Sequence, residues 1–144
     1  MSSTVNGPTV VFPKPLDHVI RTRLMRPQKS RTKEAKDEQE EVLVVEVESR
    51  ADEYSKFDVY INDEDEQPTT RNRASAEYAG SFVNVPHKHK RGVKDHKMTS
   101  TLRLGLTDLI EDLGADEDEN IDVILVPRAG TESVVIKSVK IELD

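Results

Sequence analysis

Residues 56–63 read Lys56-Phe57-Asp58-Val59-Tyr60-Ile61-Asn62-Asp63. The apolar residues of this stretch fall on every second position, and Asp58, Tyr60 and Asn62 stand between them. Because side chains alternate sides along a strand, the pattern predicts a β-strand with one face in a core. Its other face must meet solvent, a second sheet or another domain.

Related patterns on both sides of this stretch predict an all-β protein. Alternating or continuous apolar runs predict further strands within residues 17–25, 41–48, 77–85, 101–106, 121–126 and 134–143. The short run at 9–12 is stopped by Pro13 and Pro15, so it suits an edge strand or an extended connector. Seven or eight strands separated by turn residues predict an antiparallel, jelly-roll-like β-sandwich.

One short helix is predicted after the strand at 101–106. The apolar residues from Leu106 to Leu113 have the i, i+3, i+4, i+7 spacing of one helix face. Thr107 is the predicted N-terminal cap, and Gly114 stands where a glycine commonly ends a helix.

Composition narrows the classes of function. The formal net charge of −7 argues against nucleic-acid binding, because phosphate contact needs a basic surface. The absence of cysteine excludes disulfides and thiolate metal sites. No apolar run approaches the roughly 18–20 residues of a membrane-spanning helix. The length of 144 residues suits a single domain with one core.

The predicted organisation is one domain with a short leader. Residues 1–12 are interpreted as a residual interdomain linker, and residues 13–144 as the folded domain. Within that domain, residues 26–41 are dense in charge and offer little apolar surface to bury. They are therefore predicted to form an exposed, mobile charged loop.

Histidines and acidic clusters are the only candidate metal ligands. His87 and His89 would face the same way in an extended segment, and His96 follows in the same loop. Lysines and arginines crowd that loop, so a solvated basic loop, or a docking surface for an acidic partner, is the favoured interpretation. The acidic runs at 63–66 and 116–119 lack the glycine and closing glutamate of an EF-hand.

No catalytic equipment is recognisable. The chain has no Gly-x-Ser-x-Gly turn and no glycine-rich phosphate loop, and its paired carboxylates stand in exposed acidic runs. We therefore predict no catalytic, cofactor-binding or metal-binding residue, and a hydrolase or metalloenzyme is disfavoured. From the residues alone, a free-standing protein- or carbohydrate-binding β-module stays open.

Three blocks resemble a known family. The motif Lys56-Phe57-Asp58-Val59 is followed by Tyr78–His87 and by the run Leu125–Arg128. Together, in this order, they resemble the C-terminal "KFDV" domain of plant polyphenol oxidases, the catechol oxidases and tyrosinases. The resemblance extends from about Phe12 to the end of the chain.

The resemblance implies a regulatory domain that is not itself an enzyme. Members of that family are latent proenzymes, in which this domain covers the dicopper site of a catalytic tyrosinase domain until a protease cuts the linker. The two copper ions belong to that catalytic domain, which supplies six histidines. The resemblance also implies residence in the chloroplast thylakoid lumen. Whether the parent enzyme acts on monophenols or only on diphenols is not determined by this part of the chain.

A shielding domain needs an apolar side chain that can enter the catalytic pocket. Val93 is alone among charges on a predicted loop, and the preceding glycine would allow a tight turn that presents it. Its neighbours Arg91 and Lys94 could contact an acidic rim on the partner. The alternatives are that Val93 folds back onto the sandwich, or that the plug lies in the connector 10–12.

Overall fold

A computed structural model describes residues 10–63, 75–86 and 97–144 of the chain. In these ranges eight strands and two short helices follow one another: β1 (Lys14–Pro15), β2 (Ile20–Met25), α1 (Lys33–Glu38), β3 (Glu41–Arg50), β4 (Ser55–Ile61), β5 (Tyr78–Asn84), β6 (Lys97–Gly105), α2 (Thr107–Asp112), β7 (Asn120–Ala129) and β8 (Val135–Leu143). Neither described helix is long or apolar enough to cross a membrane. Residues 10–12 belong to no strand, which agrees with the connector alternative, and the first strand is formed by Lys14–Pro15. Each of the other predicted strands is present.

The strands form two four-stranded antiparallel sheets. One sheet has the order β1-β8-β3-β6 and the other the order β2-β7-β4-β5. The first strand pairs with the eighth, the second with the seventh, the third with the sixth and the fourth with the fifth. A long antiparallel ribbon rolled into two sheets gives this order, so the jelly-roll prediction is confirmed.

The core lies between the two sheets. It is lined by the alternate apolar residues of the long strands, including Leu43, Val45 and Val47 on β3 and Val123 and Leu125 on β7. The rings of Phe57 and Phe82 stack there, with their centroids 5.1 Å apart. The chain has no tryptophan, so branched aliphatic side chains fill most of this space.

The helix predicted after residue 106 is α2, but its cap differs from the prediction. Leu106 occupies the cap position and makes no side-chain cap hydrogen bond. The Glu40 carboxylate accepts instead from the Thr107 backbone N–H at 2.9 Å, and the Thr107 hydroxyl accepts from the Glu41 backbone N–H at 3.0 Å. The prediction for Gly114 is confirmed, since it follows the helix with a φ of 70°.

Most residues of 26–41 are exposed, as predicted, but the prediction of a mobile loop is wrong, and with it the prediction of a single helix. The segment contains α1, which Thr32 caps by accepting from the Ala35 backbone N–H. The Arg26 and Glu41 side chains are only 2% and 1% exposed, and they form a two-pronged ion pair with distances of 2.9 and 2.8 Å. The segment lacks apolar anchors, but charge-assisted hydrogen bonds fasten it to the sandwich.

Further bonds complete this attachment. The Arg26 guanidinium also donates to the backbone carbonyls of Ala115, Asp116 and Asp118. The Arg31 guanidinium donates to the carbonyls at the end of α1, and Lys36 pairs with Asp116 at 3.0 Å. The segment therefore acts as a strap that joins the start of β3 to the loop between α2 and β7.

Candidate functional site

The motif Lys56-Phe57-Asp58-Val59 lies on β4, between β7 and β5. Phe57 and Val59 are fully buried in the core, as the alternation predicted. Lys56 and Asp58 point to the outer side of the sheet, because neighbouring side chains on a strand face opposite ways. The outer side of the sheet β2-β7-β4-β5 is called the KFDV face below.

A network of hydrogen bonds surrounds Asp58 on the KFDV face. One carboxylate oxygen accepts from the Ser81 hydroxyl at 2.6 Å, and the other accepts from the Arg128 Nε at 2.8 Å. Arg128 also donates to the Tyr60 hydroxyl at 2.8 Å, and the Tyr78 and Ser81 hydroxyls are 2.6 Å apart. The network thus links β4 to both of its neighbours, β5 and β7.

The electrostatics of the network follow from burial and pairing. Burial alone would raise the pKa of the Asp58 carboxyl, but the hydrogen bonds from Ser81 and Arg128 hold that pKa below its ordinary value. Burial raises the pKa of the Tyr60 hydroxyl, against the effect of the Arg128 guanidinium. At neutral pH, Asp58 is therefore a charged acceptor and Tyr60 a neutral hydroxyl.

Apolar packing accompanies the polar network. Tyr60, Ile124 and Val126 are buried together on the KFDV face, outside the main core, and Val19 and Tyr78 pack against them. The Tyr60 and Tyr78 rings meet edge to face, with their centroids 5.8 Å apart. Such packing stabilises the face and fixes the directions of its side chains.

This arrangement positions side chains and does not provide a reactive group. Both Asp58 oxygens are occupied by donors, and its lowered pKa opposes a role as a general base near neutral pH. The sequence placed Asp58 and Tyr60 on one face but gave no indication that Ser81, Tyr78 and Arg128 would be their partners. The only sequence signal for these partners was the family resemblance, because Tyr78, Ser81 and Arg128 stand in two of the blocks that carry it.

The acidic run at 116–119 lies in the loop between α2 and β7. Its carboxylates contact cations of the chain: Asp116 pairs with Lys36 at 3.0 Å, and Glu119 with Lys29 at 3.5 Å. Across residues 10–63, 75–86 and 97–144, no group of three His, Cys, Asp or Glu side chains could hold a metal ion.

Several residues singled out in the sequence lie outside the described residues. These are the candidate plug Val93 with its neighbours Arg91 and Lys94, and the three histidines of the same loop, His87, His89 and His96. Of the alternative plug at 10–12, Val10 and Phe12 pack partly against the core, whereas Val11 is 75% exposed.

The sequence of this chain is similar to one family of domains and to several plant enzymes that contain such a domain. Residues 12–143 match the family described as the chloroplastic polyphenol oxidase C-terminal domain. Polyphenol oxidase of Malus domestica is 47% identical over 133 residues, and (+)-larreatricin hydroxylase of Larrea tridentata is 45% identical over the same length. Both alignments cover 91% of this chain but only 21% and 22% of those proteins. The chain thus spans about a fifth of these relatives.

Solved structures give the same result. A latent aurone synthase (polyphenol oxidase) superposes with a TM-score of 0.82 at 38% identity, covering 93% of this chain and 26% of that one. Latent apple tyrosinase superposes with a TM-score of 0.81 at 45% identity, covering 92% of this chain and 27% of that one. The chain belongs to the family of chloroplastic polyphenol oxidase C-terminal domains.

Proposed function

We propose that this chain is the shielding, autoinhibitory domain of a latent plant polyphenol oxidase. In this role it covers the dicopper site of a catalytic domain until a protease cuts the linker between them. The observation that carries the proposal is that 93% of this chain aligns with 26% of a solved latent aurone synthase (polyphenol oxidase). The domain itself catalyses nothing in this scheme, and the copper ions belong to the catalytic domain.

Shielding needs little intrinsic affinity when the two domains share one chain. A tether of suitable length holds the shield near its target at an effective concentration of order mM. An apolar side chain in the pocket then excludes water and phenols until the shield leaves. Cutting the linker removes the tether, so that release follows from dilution.

The relatives from Malus domestica and Larrea tridentata are both named as chloroplastic proteins. We extend this to the present chain and propose the thylakoid lumen as its compartment. The activating protease would act in the same compartment, on the residues that precede the folded domain.

A chimeric oxidase tests the shielding role. Residues 12–143 replace the aligned part of the Malus domestica enzyme, and a site for a sequence-specific protease is placed just before them. We expect diphenol oxidation to rise at least about tenfold on cutting, because the tether supplies most of the effective affinity. A chimera without the protease site is the control. Equal activity before and after cutting would overturn the proposal and favour a free-standing binding module.

The plug is proposed to be Val93, with Arg91 and Lys94 contacting the rim of the pocket. In the uncut chimera, Val93→Asp should raise activity before any proteolysis, since a charged group is not readily desolvated over the pocket. Val11→Asp tests the alternative plug, and Thr101→Asp, exposed on the other sheet, is the control. Unchanged latency in Val93→Asp would rule out Val93 as the plug.

A further inference from the structure

An exposed apolar patch lies at the β5 edge of the KFDV face. Tyr54, Val83 and Val85 are 46%, 46% and 61% exposed, and they are three of the five large apolar side chains exposed in the described ranges. Phe82 points into the core, so Val83 and Val85 point outward. Val83 pairs with Lys56 and Asn84 with Ser55, so the next position outward brings Tyr54 opposite Val85.

The turn that carries Tyr54 is held from several sides. The Asn84 side-chain amide donates to the backbone carbonyls of Arg50 and Glu53, at 3.1 and 2.7 Å. The Ser133 hydroxyl donates to the Glu53 carboxylate at 2.6 Å. Gly130 packs so closely that a Cβ there would lie 1.9 Å from the Tyr54 carbonyl oxygen. Tyr54 is thus presented on an ordered turn, which reduces the entropy lost when a partner binds.

Exposed ion pairs lie on the outer side of the other sheet, as the pair of Arg23 and Asp122 does towards the β2 edge of the KFDV face. On the other sheet, Arg103 pairs with Glu142 at 3.1 Å, and Lys137 with Glu48 at 3.7 Å. Cross-strand pairs of this kind suit a surface that faces water. What distinguishes the β5 edge of the KFDV face is that Tyr54, Val83 and Val85 are exposed there together. Interface centres are enriched in aromatic residues and depleted in charge.

We propose that the patch of Tyr54, Val83 and Val85 docks the remainder of the polyphenol oxidase chain. The inference rests on the proposed function, because it takes this chain to be part of a longer oxidase. About three quarters of each solved latent relative lies outside the aligned part, since the alignments cover 26% and 27% of those chains. A partner in the same polypeptide competes well with a second copy of the domain, because the tether keeps it close.

Hydroxyl-radical footprinting of Tyr54 tests the docking surface. The probe is applied to the isolated chain and to the uncut chimera, and oxidation of Tyr54 is quantified by mass spectrometry. We expect oxidation to fall about fivefold or more in the chimera, because aromatic residues at interface centres lose their solvent. Equal oxidation in the two proteins would overturn the inference, and so would protection that appears in the isolated chain as its concentration rises.

Charge substitutions provide a second measurement. The double variant Val83→Lys and Val85→Lys in the uncut chimera should return Tyr54 oxidation to the level of the isolated chain. The matched control is Thr99→Lys with Thr101→Lys, two exposed positions of β6 on the other sheet. A double variant that leaves Tyr54 protected would contradict the inference.

Measuring Tyr54 oxidation and enzyme activity on the same chimera tests the docking and shielding proposals separately. Protection of Tyr54 without any rise in activity on cutting would support docking and overturn shielding. A rise in activity on cutting with Tyr54 unprotected would support shielding and overturn docking by this patch.

Discussion

The Asp58 carboxylate accepts hydrogen bonds from Ser81 on β5 and from Arg128 on β7, so one side chain joins the two strands that flank its own. The alternation of residues 56–63 was enough to place Asp58 outward. The alternation could not identify Arg128 as the partner of Asp58, because the two residues are 70 positions apart and only the pairing of β4 with β7 brings them close. Long-range pairs of this kind depend on tertiary structure, which local periodicity does not encode.

Asp58→Asn tests the network at the level of stability. The Asp58 side chain is 5% exposed and Arg128 is 22% exposed, so the variant removes a negative charge 2.8 Å from a guanidinium in a largely buried position. We expect the free energy of unfolding to fall by about 2–4 kcal/mol, measured by urea titration at pH 7. Glu142→Gln is the control, since its pair with Arg103 is exposed and should leave stability almost unchanged. Similar losses in both variants would contradict a special role for the network.

The Asp58 carboxyl also makes the free energy of unfolding depend on pH, and its contribution is lost in acid. Its pKa is lowered in the folded state, so below the ordinary value of about 3.9 the unfolded chain binds more protons than the folded one. The contribution of Asp58 is therefore complete above about pH 5 and is lost as the pH falls through the folded-state pKa. Urea titrations from pH 3 to 7 should show the difference between wild type and Asp58→Asn shrinking at the acid end. A difference independent of pH would show that the pKa is not lowered.

At the scale of elements, the strap at 26–41 shows where composition misleads. A segment with few apolar residues was predicted to be exposed, but Arg26 is buried by pairing with Glu41 and three backbone carbonyls. Burial of arginine depends on partners that lie up to 92 positions away. Strands 41–48 and 134–143 were predictable because each carries its own continuous or alternating run of apolar residues.

Removing the anchor of the strap should be strongly destabilising. Arg26→Ala leaves the Glu41 carboxylate buried without its partner, and three carbonyls lose a donor. We expect a loss of about 3–5 kcal/mol in the free energy of unfolding. Lys29→Ala, which removes an exposed pair with Glu119, is the matched control and should change little. An Arg26→Ala variant as stable as the control would show that the strap is not anchored by this ion pair.

The turn beside β4 can be tested with two glycines of similar conformation. Gly114 and Gly130 have φ values of 70° and 63°, so alanine at either position is strained by about 1–2 kcal/mol. A Cβ on Gly114 meets nothing within 4 Å, whereas a Cβ on Gly130 would overlap the Tyr54 carbonyl. Gly130→Ala should therefore lose at least about 2 kcal/mol more stability than Gly114→Ala, since the backbone must move. Equal losses, compared by thermal unfolding, would show that the turn is not tightly held.

At the scale of the whole molecule, the fold class was predictable from the sequence, whereas the position of the exposed apolar patch was not. Seven or eight predicted strands with turn residues between them favoured an antiparallel, jelly-roll-like β-sandwich. Where the exposed apolar side chains would meet depended on the pairing of β4 with β5, which sets Ser55 opposite Asn84 and Lys56 opposite Val83. Register is set by long-range pairing, so it became known only from the structure.

If the domain docks through this patch, dilution should release it once the linker is cut. Cutting the chimera before residue 12 should leave the domain bound at high protein concentration and free at low concentration, because only the tether supplied an effective concentration of order mM. Specific activity of the cut enzyme should therefore rise as it is diluted from about 10 μM to 10 nM, whereas the uncut enzyme should stay latent throughout. Adding back the isolated chain should restore latency, and the Val83→Lys, Val85→Lys variant should fail to do so. A cut enzyme whose activity equals that of the uncut enzyme at every concentration, down to 10 nM, would contradict the proposal of a tethered shield that proteolysis releases.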